Sequence, residues 1–216
     1  MTAGSRSETQ SEAGSPASDS AAFLERAIGW IITIASLIAF IAAVILFVEK
    51  LKLIGNPDYV PTCSINPILS CGSIMESDQA EAFGFPNPLL GIVGFGGLSM
   101  LGAAMLIGVK FPRRTWLVIQ AGVTFAFGFV CWLIFQSLYR IEALCPYCMV
   151  VWVAVFTLFV YVTMYNLSAG NIGTSGKPNR AVRVAASYHG VILTVSMLTV
   201  VVLIAEAFWD YWRTLV

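Results

Sequence analysis

The chain has 216 residues, 58% of them apolar and only 11% charged, whereas soluble domains carry about 25% charged residues. A mean hydropathy of +0.81 excludes an ordinary soluble globule, a disordered chain and a nucleic-acid binder. Because 12 Lys and Arg offset 12 Asp and Glu, the placement of charge is informative and its sum is not.

The first segment, Met1–Ser20, is rich in Ser, Ala, Gly and Glu and lacks aromatics. It reads as disordered, within a cytoplasmic tail assigned to residues 1–22. It is not the start of a signal peptide, because the apolar run that follows is long and has no clear small-residue cleavage site. Cutting the rest of the chain at its charges leaves Ala27–Val48, Ala82–Val109, Thr115–Tyr139, Ala143–Gly176 and Val184–Ala205. Each reaches the ~20 residues that a helix needs to cross ~30 Å of hydrocarbon. Pro86 and Pro88 suit a helix entrance better than its middle, and Asn166–Gly176 is polar. The trimmed runs predict membrane helices over 24–48, 87–109, 114–139, 145–167 and 183–207.

Lys and Arg in the short loops set the orientation. Arg6, Arg26, Lys110, Arg113, Arg114, Lys177, Arg180 and Arg183 fall on one side, against Lys50, Lys52, Arg140 and Arg213 on the other. The N-terminus, second loop and fourth loop are therefore expected in the cytoplasm, and the first loop, third loop and C-terminus outside. The first outer loop, from Glu49 to Phe85, is too long to be bare coil. Its apolar residues Ile65, Ile68, Leu69, Ile74, Met75 and Phe83 predict short amphipathic helices on the membrane surface, forming a lid over the bundle.

Four of the five cysteines fall on the outer side of a topology drawn without them. Cys63 and Cys71 lie in the lid, and Cys145-Pro146-Tyr147-Cys148 opens the fourth helix. Disulfides persist in compartments outside the reducing cytosol. In Cys145-x-x-Cys148 the i and i+3 positions share a helix face, Pro146 suits the first helical position, and the helix N-terminus favours a thiolate. A redox-active pair follows; the alternatives are a structural disulfide or half of a metal site. The ring is too short to staple much chain. A zinc site would need more Cys or His ligands, and the lone histidine, His189, lies toward the cytoplasmic half of the fifth helix. Cys63 and Cys71 alone could be a loop staple, but above a second dithiol they make a thiol–disulfide exchange path. Cys131, about eight residues inside the third helix, reads as a small core residue.

This arrangement resembles the vitamin K epoxide reductase family in its bacterial form. The likeness rests on Cys63-x7-Cys71 after the first helix and Ser77 six residues later. It continues in Pro86-Asn87-Pro88-Leu89-Leu90-Gly91 at the start of the second helix and Cys145-x-x-Cys148 at the start of the fourth. The other four-helix disulfide oxidase family has its two cysteine motifs in the reverse order. The resemblance implies an all-α integral membrane protein, a four-helix bundle around a quinone pocket with a fifth transmembrane helix. Its catalytic core is 23–167, with the outer loop at 49–86, a cytoplasmic loop at 168–182, and the fifth helix and short outer tail at 183–216.

By the same resemblance, Cys148 meets the quinone and Cys145 is its partner. Cys71 exchanges with Cys145, and Cys63 engages the substrate protein. Ser77 and Asn87 lie near the site, the asparagine donating to a quinone carbonyl. Trp152 stands where animal members carry a tyrosine, and is read as a pocket wall or an interior aromatic. Many bacterial relatives fuse a thioredoxin-like domain after the fifth helix. Here the chain stops at Val216, so a separate exported thioredoxin-fold (DsbA-like) protein is expected as partner. The implied activity is that of a disulfide-forming protein dithiol:quinone oxidoreductase in the bacterial inner membrane. It would use menaquinone or ubiquinone and no metal. The rivals are reduction of vitamin K epoxide, and a non-enzymatic scaffold whose outer cysteines are staples. Glycines 91, 94, 96 and 97 allow either close helix packing or room for a flat ring.

Overall fold

The computed structural model describes residues 16–56, 58–172, 184 and 187–213. Arg6, Lys177, Arg180, Arg183 and most of the expected cytoplasmic loop lie outside them. The helices are α1 (Pro16–Gly55), α2 (Cys71–Met75), α3 (Asn87–Leu106), α4 (Arg113–Gln136), α5 (Pro146–Ser168), α6 (His189–Ala207) and α7 (Trp209–Arg213). A single 3-10 turn, Asp78–Glu81, follows α2, and one π-helical turn, Ser137–Ile141, continues α4. Among the described residues, five segments are long and apolar enough to cross a bilayer: Arg26–Gly55, Asn87–Leu106, Arg113–Ile141, Pro146–Ser168 and His189–Ala207. All five predicted spans are present, and the chain is an all-α, multi-pass membrane protein.

The first helix exceeds its expected limits at both ends. Residues 16–22, assigned to the tail by composition, are helical, while residues 1–15 lie outside the described part. At the other end α1 runs to Gly55 rather than stopping at Val48, about 10 Å further at 1.5 Å per residue. The charges at Glu49 and Lys50 do not end it, because both are satisfied by the loop that follows. Glu49 is buried and accepts from Lys52, Tyr59 and the Thr62 backbone N–H, while Lys50 pairs with Glu81.

Helix α1 packs against α3 and α5, and α5 also against α4 and α6. The α1–α3 contact depends on glycine. A Cβ at Gly91 would lie 3.0 Å from that of Ala43, and one at Gly102 would lie 2.6 Å from Thr33 Oγ1. Helix α6 is peripheral: none of its most apolar window is buried, against 44% for α5. Helices α3 and α4 do not close on each other, and the space between them opens into a cavity.

At the end away from the cysteines, α4 and α5 are tied by Asn166, fully buried and donating to Gln120 Oε1 at 3.0 Å. Asn171 in turn donates to Asn166 Oδ1 at 2.9 Å. A buried amide is tolerated in an apolar bundle only when its polar atoms are matched in this way.

Candidate active site

The site forms where the loop after α1 meets the start of α5. One isolated parallel β-bridge, Leu69 with Leu144, joins them. Leu144 N–H donates to Ile68 O at 2.7 Å and Ser70 N–H to Leu144 O at 3.0 Å. Each bridging strand leads at once into a cysteine, since Cys71 opens α2 and Cys145 caps α5. The turn into the bridge passes through Glu142 in the left-handed region, φ 56°, and Ser137 Oγ donates to Ala143 O beneath it. The bridge therefore aligns two cysteines that are 74 residues apart in sequence.

Cys63 and Cys71 form a disulfide, with Cα atoms 5.6 Å apart. Cys145 and Cys148 are free thiols. The Cys145 sulfur lies 3.2 Å from that of Cys71, and the sulfurs of Cys63, Cys71 and Cys145 all fall within 4.8 Å of one another. That cluster is tight enough for a metal ion, but two of its sulfurs are bonded to each other and offer no thiolate. A free thiol in van der Waals contact with a disulfide sulfur is instead the geometry of thiol–disulfide exchange.

Cys145 is suited to be the exchanging thiol. As N-cap of α5 it accepts from the Cys148 backbone N–H at 3.4 Å, and Pro146 takes the first helical position as expected. The hydrogen bond from the Cys148 thiol, helped by the backbone N–H groups of Cys148 and Tyr147, holds Cys145 below the usual thiol range against the opposing effect of burial.

Cys148, one turn further, reaches the cavity between α3 and α4, which encloses about 580 Å³. Its walls are almost wholly apolar and run from Asn87 and Cys148 down to Leu101, Val118 and Leu158. Ser77, Asn87 and Trp152 all line it. The Ser77 hydroxyl donates to Ile74 O at 2.6 Å. Asn87 Nδ2 donates to Gln79 O at 2.7 Å, and its Oδ1 accepts from the Ala82 N–H at 3.1 Å, so this side chain also anchors the loop. Trp152 is buried in the core and is also among the residues that line the cavity. The glycines divide similarly. Gly91 and Gly96 face α1 side chains, while a Cβ at Gly94 or Gly97 would meet nothing within 4 Å, and both line the cavity.

The lid expected from the loop's apolar residues takes the form of α2 and the 3-10 turn. Met75 is buried against the cysteines. Phe83 packs toward α4 with its ring tilted, 5.4 Å from Phe129 and 6.3 Å from Phe125. Cys131, read from sequence as a core residue, is exposed on the lipid-facing side of α4; periodicity in a helix apolar all round does not tell core from lipid. The residues missed from sequence are Glu49, Lys50, Tyr59 and Thr62, which hold the loop. The signal in the sequence is two adjacent charges ending an apolar run before a long loop, which by composition alone marks a membrane boundary.

These features define a helical membrane protein that sets a loop disulfide against an inner dithiol at the rim of an apolar cavity. The chain belongs to the vitamin K epoxide reductase family, whose sequence model matches residues 30–163. Members are oxidoreductases that work with quinones and a redox partner protein. Among curated proteins, none matches the chain in sequence.

Proposed function

We propose that this protein is a membrane thiol oxidase at the outer face of the bacterial inner membrane. It reoxidises an exported thioredoxin-fold (DsbA-like) protein and passes the electrons through two cysteine pairs to menaquinone or ubiquinone, supporting disulfide formation. The observation that carries this reading is the free Cys145 thiol 3.2 Å from the disulfide-bonded Cys71, with Cys148 lining a lipid-depth cavity.

A partner thiolate attacks Cys63 of the Cys63–Cys71 disulfide, and Cys71 leaves as thiolate. The partner's second thiol then releases Cys63 and leaves as a disulfide. Cys71 attacks Cys145 of the oxidised inner pair, expelling Cys148 as thiolate, and Cys63 attacks Cys71 to release Cys145. Two electrons have moved inward at that point, and the loop pair is a disulfide beside two free thiols, the state described above.

The cavity fits a flat apolar ring: its walls are aliphatic and aromatic, Gly94 and Gly97 leave it room, and Cys148 and Asn87 are among its few polar groups. Asn87 has a second N–H beyond the one given to Gln79, free to donate to a carbonyl. A quinone held there would take two electrons and two protons from the Cys145–Cys148 dithiol, which would return to its disulfide as the quinol leaves. Asn87 orients the ring, Trp152 walls it, and the low-polarity surroundings strengthen the hydrogen bond that Asn87 makes.

Purified protein given a reduced thioredoxin-fold substrate and a soluble quinone is expected to form quinol and oxidised substrate. Cys145→Ala and Cys148→Ala are each expected to abolish turnover, and full activity in either variant would overturn the mechanism. Offering vitamin K epoxide to the same preparation distinguishes the rival acceptor by which compound is consumed.

A further inference from the structure

In this state the loop disulfide is placed for inner exchange but closed to the outside. Cys63 is 5% exposed and Cys71 fully buried, although a partner protein must reach one of them. What holds them is the last part of α1. Glu49 Oε2 accepts from Tyr59 OH at 2.9 Å and from Thr62 N–H at 3.0 Å, immediately before Cys63. Lys50, the next residue, donates to Met75 O at 2.6 Å and pairs with Glu81 at 3.0 Å, beyond Cys71. Adjacent residues on one helix thus grip the two limbs of the loop on either side of its disulfide. Glu49 is buried at 4% exposure, and its other oxygen takes Lys52 Nζ at 3.0 Å. Releasing either limb would loosen the seat of Cys71 against Cys145, leaving the Leu69–Leu144 bridge to hold it alone, and releasing the Tyr59–Thr62 limb would also uncover Cys63.

We propose that Glu49 and Lys50 are positioning residues for the relay, a two-sided clamp that keeps Cys71 against Cys145 and governs external access to Cys63. The inference rests on the relay reading above. It makes the two exchanges antagonistic: the closed clamp favours transfer between Cys71 and Cys145, and loosening it favours attack on Cys63. Both bonds to the incoming limb fall on one oxygen of Glu49, so the clamp requires an acceptor there and not a charge. A glutamine with its carbonyl oxygen at that position keeps them, and Lys52, half exposed, can turn to water.

Two rates test this in the full-length chain, and neither needs a quinone or a protein partner. The first is formation of the Cys71–Cys145 disulfide on oxidation with diamide, in a Cys63→Ala/Cys148→Ala background. The second is reduction of the native Cys63–Cys71 disulfide by dithiothreitol. Glu49→Leu is expected to slow the first about tenfold or more, since a misplacement of about 1 Å is costly to a proximity reaction, and to speed the second several-fold. Glu49→Gln is expected to restore both, and Lys50→Met to slow the first. Unchanged rates in Glu49→Leu, a fall in both rates together, or a Glu49→Gln variant no better than Glu49→Leu would each overturn the clamp. If the relay reading itself is wrong, quinone turnover survives loss of the cysteines while these two rates still respond to Glu49.

Discussion

Alanine at the glycines of α3 is expected to act in opposite directions according to what each one faces. At Gly102 the added methyl carbon would lie 2.6 Å from Thr33 Oγ1 and 2.8 Å from the Thr33 backbone nitrogen. That backbone belongs to α1, and Thr33 Oγ1 is held by its bond to Gly29 O at 2.7 Å, so neither atom can yield without moving a helix. Overpacking of this kind costs about 1–3 kcal/mol, and Gly102→Ala belongs at the upper end, near 3. Gly91→Ala meets the Ala43 methyl at 3.0 Å and the Phe95 ring at ordinary contact distance, 3.4 Å, and belongs near the lower end, about 1 kcal/mol.

Gly94→Ala and Gly97→Ala meet nothing within 4 Å. In water the helix gains about 0.5–1 kcal/mol from such a change. In a bilayer the unpacked segment stays helical, which reduces the gain, so these two variants fall between no change and about 1 kcal/mol of stabilisation. Because they place a methyl group in the cavity, they are expected to raise KM for quinone several-fold and leave Cys71–Cys145 exchange unaltered. The assay is unfolding of the purified protein in mixed micelles, with quinone kinetics alongside. A Gly94→Ala variant destabilised as much as Gly102→Ala would refute the reasoning, since it would mean that α3 and α4 are closely packed where the structure has a cavity.

Two further expectations concern the site. Cys145 is held below the usual thiol range chiefly by the Cys148 thiol, so its thiolate forms at lower pH than an ordinary cysteine and is lost as pH falls through that lowered value. Cys148→Ala removes the hydrogen bond and is expected to move the profile to higher pH; the ultraviolet thiolate absorbance lost in Cys145→Ser reports it, and an unshifted profile would refute the cause assigned. Asn87→Ala is expected to raise KM for quinone and also to loosen the loop at Gln79 and Ala82, where its amide is bonded in both directions. Faster limited proteolysis within residues 79–86 checks the second effect, and a change in KM alone would show that the anchoring bonds are dispensable.

Much of this protein was legible in its sequence because a bilayer imposes a one-dimensional rule. Backbone polar groups must be satisfied within each crossing, so length and the absence of charge locate five helices. The cysteine spacing identifies two dithiols, and Pro146 after Cys145 predicts the cap that α5 shows. Composition could not say how the ends of those helices are used. Glu49 looked like a boundary because a charge inside an apolar run is costly. Only the loop folding back supplies Tyr59 and Thr62, which with Lys52 one turn along α1 satisfy the buried carboxylate.

The glycines and Cys131 show the same division. Sequence places five glycines on α3, but whether each meets α1 or empty space depends on helix rotation, which is set by packing partners. An entirely apolar helix has no polar face to report its orientation, and so composition suggests a core position for Cys131, which the structure leaves exposed. The amino-acid sequence by itself determined that this is a five-crossing membrane protein with two cysteine pairs at one end. The tertiary structure alone decided that Leu69 pairs with Leu144 and brings Cys71 to Cys145. It also decided that a clamp on α1 covers the pair. The reason is physical: crossings are specified locally by transfer from water to lipid, whereas a sulfur-to-sulfur approach depends on hydrogen bonds between segments that are remote in the chain.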